Sequence, residues 1–197
     1  MRIDNFNLLK PCMDFSDKDK FYYLQIIQRK KDRVQSKSHC SVVKNFYIKS
    51  EDYLNKKEEE IKDYCVFFNA RAYLRLNRRS WYDVSMKSME LAGKYVYNKD
   101  YESFKSLFSK SCGQTCAEPR RTKTWIVDID TMCLMEISNK IKYINKLHKE
   151  NGGKIICSVP TRNGCHIITN PFDSLKFKKE FPDIDIHKDN PTILYMP

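Results

Sequence analysis

The segment Trp125-Ile-Val-Asp-Ile-Asp130 places two carboxylates two residues apart in a run of β-branched and aromatic residues. Side chains on a strand alternate between faces, so Trp125, Val127 and Ile129 share one side and Asp128 and Asp130 the other. The strand rise separates the two acids by roughly 6–7 Å at the backbone. Like charges this close are costly unless a cation or a basic group answers them. Oxygen donors at that spacing suit one or two divalent ions of the kind used in phosphoryl chemistry. A strand end that carries acids for solubility is the bland alternative.

Two further segments add to the pair. Pro160-Thr-Arg-Asn-Gly-Cys-His166 is a tight polar turn that delivers a histidine to the start of a strand. There His166 could donate to a phosphate oxygen with Arg162 as charged support. Ile184-Asp-Ile-His-Lys-Asp189 supplies Asp185 as the candidate third metal carboxylate, with Asp189 as the alternative, because a one-residue slip exchanges the faces.

The elements that position these groups follow from periodicity. A strand over 124–130 leads to a helix whose apolar face is Leu134, Ile137, Ile141, Ile144 and Leu147, stopped by Asn151-Gly152-Gly153. Strands over 154–159 and 165–169, a short helix over 173–181, and closing strands over 183–188 and 192–196 complete the half. Strand, helix, strand, strand, helix, strand is the split βαβ order, one sheet with helices on one face. Earlier in the chain, strands are expected over 21–27 and 42–48, and Ser50 caps a helix running to about Phe68. Ala70 to Leu76 alternates, with Ala70, Ala72, Leu74 and Leu76 on one face and Arg71, Tyr73 and Arg75 on the other. Helices are expected over 81–97 and from Tyr101 to about Ser111. The expected class is therefore α+β, an N-terminal αβ unit over 1–117 packed on an RRM-like split βαβ unit over 118–197.

Charge bears on the partner. Thirty-six Lys and Arg against 25 Asp and Glu leave +11. Residues 1–117 hold 23 basic and 15 acidic groups, and residues 29–49 hold seven to one. Such an excess favours a polyanion, since each neutralised phosphate releases counterions. Arg71, Tyr73 and Arg75, with Arg78 and Arg79, are the candidate nucleic-acid contacts, the guanidiniums for phosphates and Tyr73 for a base. The N-terminus does not read as a secretory signal, and no apolar run spans a bilayer, so a cytoplasmic protein without a membrane partner is expected. The eight cysteines then read as free thiols. Cys112 and Cys116 with His39-Cys40 do not form two matched pairs, so structural zinc is disfavoured.

In order and spacing, Val127-Asp128-Ile129-Asp130, Gly164-Cys165-His166 and Ile184-Asp185 resemble the three motifs of the archaeo-eukaryotic primase superfamily, including small phage-borne members. The motifs cover residues 125–197; the first half matches by element pattern only. The resemblance implies Mg²⁺ or Mn²⁺ on Asp128, Asp130 and Asp185, and nucleotide phosphates on His166. It further implies template-directed nucleotide polymerisation in DNA replication, with DNA or RNA, nucleoside triphosphates and a helicase or other replication protein as partners. Family members continue past the third motif with a basic residue near the triphosphate. This chain ends at Pro197, so either Lys188 or Arg162 substitutes, or the protein acts with a partner, or catalysis has decayed. Two other readings share these residues: a metal-dependent nuclease, and a non-catalytic nucleic-acid-binding accessory.

Overall fold

A computed structural model describes residues 2–29, 41–147 and 154–197. The chain opens with β1 (Ile3–Asp4) and a single turn of helix, α1 (Phe6–Leu9). β2 (Lys20–Gln28) and β3 (Ser41–Ile48) pair antiparallel, with Tyr22 opposite Ile48. Most of the basic stretch expected between them, and His39-Cys40, lie outside the described residues. Ser50 caps α2 (Glu51–Phe67), its hydroxyl accepting from the Tyr53 amide at 3.1 Å. That bond satisfies one of the helix's unpaired N–H groups. The stripe Leu54, Ile61 and Cys65 is fully buried against the sheet.

β4 (Arg71–Arg75) runs antiparallel to β2, and Ala70, Ala72, Leu74 and Leu76 are buried, as their alternation requires. β5 (Arg79–Ser80) leads into α3 (Trp81–Tyr97), capped by the Ser80 side chain. The helix expected from Tyr101 begins as a 3₁₀ segment, Tyr101–Ser106, and continues as α4 (Leu107–Gln114). Residues of α3 and α4, Val84 and Cys112 among them, bury Phe21 and Tyr23.

In the second half come β6 (Trp125–Ile129), α5 (Leu134–Lys146), β7 (Ile155–Pro160), β8 (Cys165–Thr169), α6 (Ser174–Glu180), β9 (Asp185–His187) and β10 (Pro191–Met196). Four of these strands make one antiparallel sheet in the order β7-β8-β6-β9. Trp125, Val127 and Ile129 pack with Ile144 of α5 and Phe177 of α6 on one face, as expected from period two. Leu134 departs from the expected apolar stripe: it is 81% exposed at the first position of α5, and Ile137, Ile141 and Ile144 carry the contact. The expected Asn151-Gly152-Gly153 stop lies outside the described residues.

β10 corrects the expected topology. It leaves the second sheet and lies in the first, whose order is β1-β10-β4-β2-β3, with β5 also on β2. Thr192 pairs with Leu74 and Ile193 with Tyr73 on one side, and Ile3 with Met196 on the other. Residues 192–196 are buried without alternation, a burial that suits an interior strand better than a half-exposed one. The boundary expected at 117/118 is therefore crossed by the last strand. Ile126, Val159 and Ile168 of the second sheet share one core with Leu24, Leu74 and Leu194 of the first. The whole is α+β with antiparallel sheets. Among the described residues no helix is long and apolar enough to cross a membrane, and the seven described cysteines are free thiols.

Candidate functional site

Asp128 lies on the central strand β6. Directly opposite it are His166 on β8 and Asp185 on β9. Residues opposite one another in an antiparallel pair present their side chains to the same face, so the three form one row across the sheet. His166 Nε2 is 3.4 Å from Asp128 Oδ1. Its Nδ1 is 2.8 Å from Oγ1 of Thr192, which is fully buried on β10. A hydroxyl donates or accepts, so the imidazole keeps a partner at Nδ1 in either tautomer. The returning last strand thus fixes the ring against the acid. The hydrogen bond from His166 holds the Asp128 carboxyl below its ordinary value; it outweighs the opposing effect of burial, and the charge of His187 adds to it.

The turn before β8 is fitted to the end of β6. Thr161 N donates to Gly164 O at 2.9 Å, closing the hairpin. A β-carbon on Gly164 would stand 1.9 Å from Ile129 O and 2.7 Å from Thr131 N, both backbone atoms. Only glycine permits this approach, which holds the His166 hairpin beside Asp130. Gly164→Ala is accordingly expected to cost about 1–3 kcal/mol, by analogy with overpacking, and to lower the melting temperature by about 3–10 °C. Gly113→Ala is the control. Gly113 is a helical position with nothing within 4 Å of its added methyl, so its melting point should hold or rise. Equal melting points for Gly164→Ala and wild type, read by thermal denaturation, would remove the close-approach argument.

Asp130 follows the end of β6 and is exposed. Together with Asp128, His166, Arg162, Arg71 and Tyr73 it borders a hollow of about 230 Å³. A larger hollow continues from it past Arg29 and Tyr73 toward His187 and Asn190. On the other side, Asp128, Asp130 and Asp185 border a third hollow with Lys140 and Glu136. Asp185 is on the edge strand, largely exposed, with Lys178 Nζ at 3.8 Å.

Three carboxylates are a hard, all-oxygen donor set, the kind preferred by Mg²⁺ and Mn²⁺. Asp128 faces Asp185 across the ladder, a like-charge pairing that a bound cation would relieve. The donor chemistry therefore fits such an ion. As they stand, the carboxylates border a common hollow rather than converge: among the described residues no three His, Cys, Asp or Glu side chains form a ready metal cluster.

Other expected site residues stand elsewhere. Arg79 is fully buried and binds both carboxylate oxygens of Asp189, at 3.2 and 2.9 Å, and the Cys112 carbonyl. It has no surface to offer a nucleic acid, and Asp189, the alternative third carboxylate, is committed to it. Arg75 donates to the Asp189 carbonyl, and Arg78 pairs with Glu118 and Asp14 at 2.6 and 2.7 Å. Lys188 places its ammonium 4.9 Å from the centre of the Trp125 ring, on the helix-covered side of the sheet opposite Asp128. Of the basic candidates, Arg162 and Arg71 border the hollow, with Tyr73, though Arg71 is buried on β4 rather than on the exposed face expected for it. Sequence reasoning missed Thr192, Arg29, His187 and Asn190. Only Arg29 had a signal, as the first residue of the basic stretch 29–49.

Comparison of this chain with protein-family models, with curated proteins and with solved structures finds no match.

Proposed function

We propose that this protein is a primase-like nucleotidyltransferase that extends a nucleic-acid strand from nucleoside triphosphates, and that its second sheet is an RRM-like catalytic unit. The observation that carries the reading is the row Asp185, Asp128, His166 across three neighbouring strands, with Asp130 two residues from Asp128. The β-α-β-β-α-β order with helices on one face supports it, as does the placing of Arg71 and Arg162 by the acids.

Asp128, Asp130 and Asp185 would hold Mg²⁺ or Mn²⁺. Such ions, when bound, supply charge neutralisation at the transferred phosphoryl group and at the departing pyrophosphate. The chain's own groups orient the reactants. His166, braced by Thr192, presents Nε2–H toward an anionic oxygen that would compete with Asp128 for it. Arg162 and Arg71 add charge where the polyphosphate lies, and Tyr73 offers a ring face to a base. The attacking 3′-hydroxyl displaces pyrophosphate in line, so catalysis here is mostly positioning and electrostatics.

The experiment incubates the full chain with an end-labelled primer–template and ribo- or deoxynucleoside triphosphates, in Mg²⁺ or Mn²⁺ and in EDTA. Strand extension in either metal and none in EDTA is expected. Shortening of the strand without nucleotides would replace polymerisation by hydrolysis. Salt-sensitive binding with neither product would leave an accessory protein and sink the catalytic reading.

A further inference from the structure

Cys12 and Cys157 are 145 residues apart in the chain, yet their sulfurs stand 3.3 Å from each other. Cys12 ends a single 3₁₀ turn, Lys10–Cys12, that follows α1. Cys157 lies on β7, the edge of the second sheet farthest from β9. The Cys12 thiol also has the Leu8 carbonyl at 3.5 Å, so it is held from two sides. Both cysteines are partly exposed, within reach of a small reagent. Of the seven described cysteines these two alone bring their sulfurs together.

The approach is built into the fold. Asn5, fully buried, donates through Nδ2 to the Pro160 carbonyl at the end of β7 and to the Ile193 carbonyl of β10, at 3.1 and 2.9 Å. The N-terminal segment therefore bridges the two sheets by hydrogen bonds, and the thiols meet at a second point of the same bridge. Structural zinc takes four ligands, and among the described residues no third donor joins this pair. Closing 3.3 Å to the bond length of about 2.05 Å asks for little movement.

We infer that Cys12 and Cys157 form an oxidation site, a thiol pair that closes to a disulfide on meeting a small disulfide reagent and clasps the N-terminal segment to β7. The Cys12 thiolate attacks one sulfur of the reagent, whose S–S bond breaks and whose other half leaves as a thiol. Cys157 then gives up its proton and displaces the second half from the mixed disulfide. Two cysteine thiols lose two electrons and two protons, and one reagent disulfide becomes two thiols. Burial, with the second thiol beside it, pushes the Cys157 thiol up, so the closing step quickens as pH rises. The clasp stands apart from the proposed function. It reaches the carboxylate row only at one remove, because β7 pairs with β8 and sets Val159 opposite His166.

The test treats the full chain with 2-hydroxyethyl disulfide or with dithiothreitol, blocks the remaining thiols and maps the peptides by mass spectrometry. A Cys12–Cys157 link within one chain is expected after oxidation, with a melting temperature about 4–16 °C above that of the reduced protein. Cys12→Ser and Cys157→Ser should each lose the link and the rise, and Cys157→Ser should retain the reagent on Cys12. Cys133→Ser, which removes an exposed thiol elsewhere, should keep both link and rise. Reagent caught on Cys133 while Cys12 and Cys157 stay free in wild type would overturn the site. So would links formed only between molecules, or a Cys12–Cys157 link that leaves the melting temperature unmoved.

Discussion

Asp128→Asn is expected to lower metal-dependent strand extension by about 10²–10³-fold, the scale on which single electrostatic groups act in active sites, while the folded protein loses only about 2–4 °C of melting temperature. The two halves of this expectation have one origin. Asp128 stands opposite Asp185 in an antiparallel ladder, a pairing that disfavours folding. Its hydrogen bond from His166 outweighs partial burial and holds the carboxyl below its ordinary value, so the ionised acid gives the fold a small net support. Asparagine keeps the shape and can still accept from the imidazole, yet it removes the repulsion from Asp185. Extension by the variant and a larger fall in melting temperature, measured in parallel, would instead make Asp128 a structural partner of His166. Asp185→Asn provides the reciprocal case: it removes the same repulsion from the edge strand and should hold the melting point.

Much of this arrangement was legible in the chain. The alternation from Trp125 to Asp130 sorted helix-facing from acid-bearing positions correctly, because one side of that strand is wholly apolar and the other is not. Ser50 marks the start of α2 for a local reason, a hydroxyl within reach of an amide three residues on. The motif spacing brought His166 and Asp185 onto strands flanking Asp128, since hairpin and crossover lengths allow few alternatives. What stayed hidden is non-local. Thr192-Ile-Leu-Tyr-Met196 is apolar enough for an interior strand of either sheet, and nothing in its order says which. The brace from Thr192 to His166 followed from that choice and was invisible with it. Arg75, Arg78 and Arg79 read as a basic face because charge in a sequence carries no label for burial. Their partners Asp189, Asp14 and Glu118 lie 40 to 114 residues away.

Arg79 and its surroundings carry the largest expected effect on stability. The guanidinium is fully buried, donates to both oxygens of Asp189, and also reaches the carbonyls of Cys112 at the α4 end and Asn77. Asn77, itself buried, donates to Thr124, Lys188 and Asp189 and accepts from the Thr124 amide at 2.7 Å. The cluster therefore ties the segment after β4 to the start of β6 and the end of β9, the two strands that carry Asp128 and Asp185. Asp189 answers two cations, because Arg75 lies at 3.8 Å; burial and the charge of Arg79 push the Arg75 guanidinium below its usual value. The two halves of the ion pair are unequal: Arg79 has no exposure, and the Asp189 side chain retains 28%. Asp189→Ala leaves two guanidiniums side by side with no counterion, and the cost is expected at about 3–5 kcal/mol, or about 6–20 °C in melting temperature. Arg79→Met leaves a carboxylate that water and Arg75 can still reach, so its cost should be smaller. The double variant should fall near Arg79→Met alone, since the aspartate is needed mainly where the buried arginine is present. Thermal denaturation of the four proteins measures this coupling. If Asp189→Ala proves as stable as wild type and Arg79→Met instead weakens nucleic-acid binding, Arg79 belongs to a binding surface and the clasp is refuted.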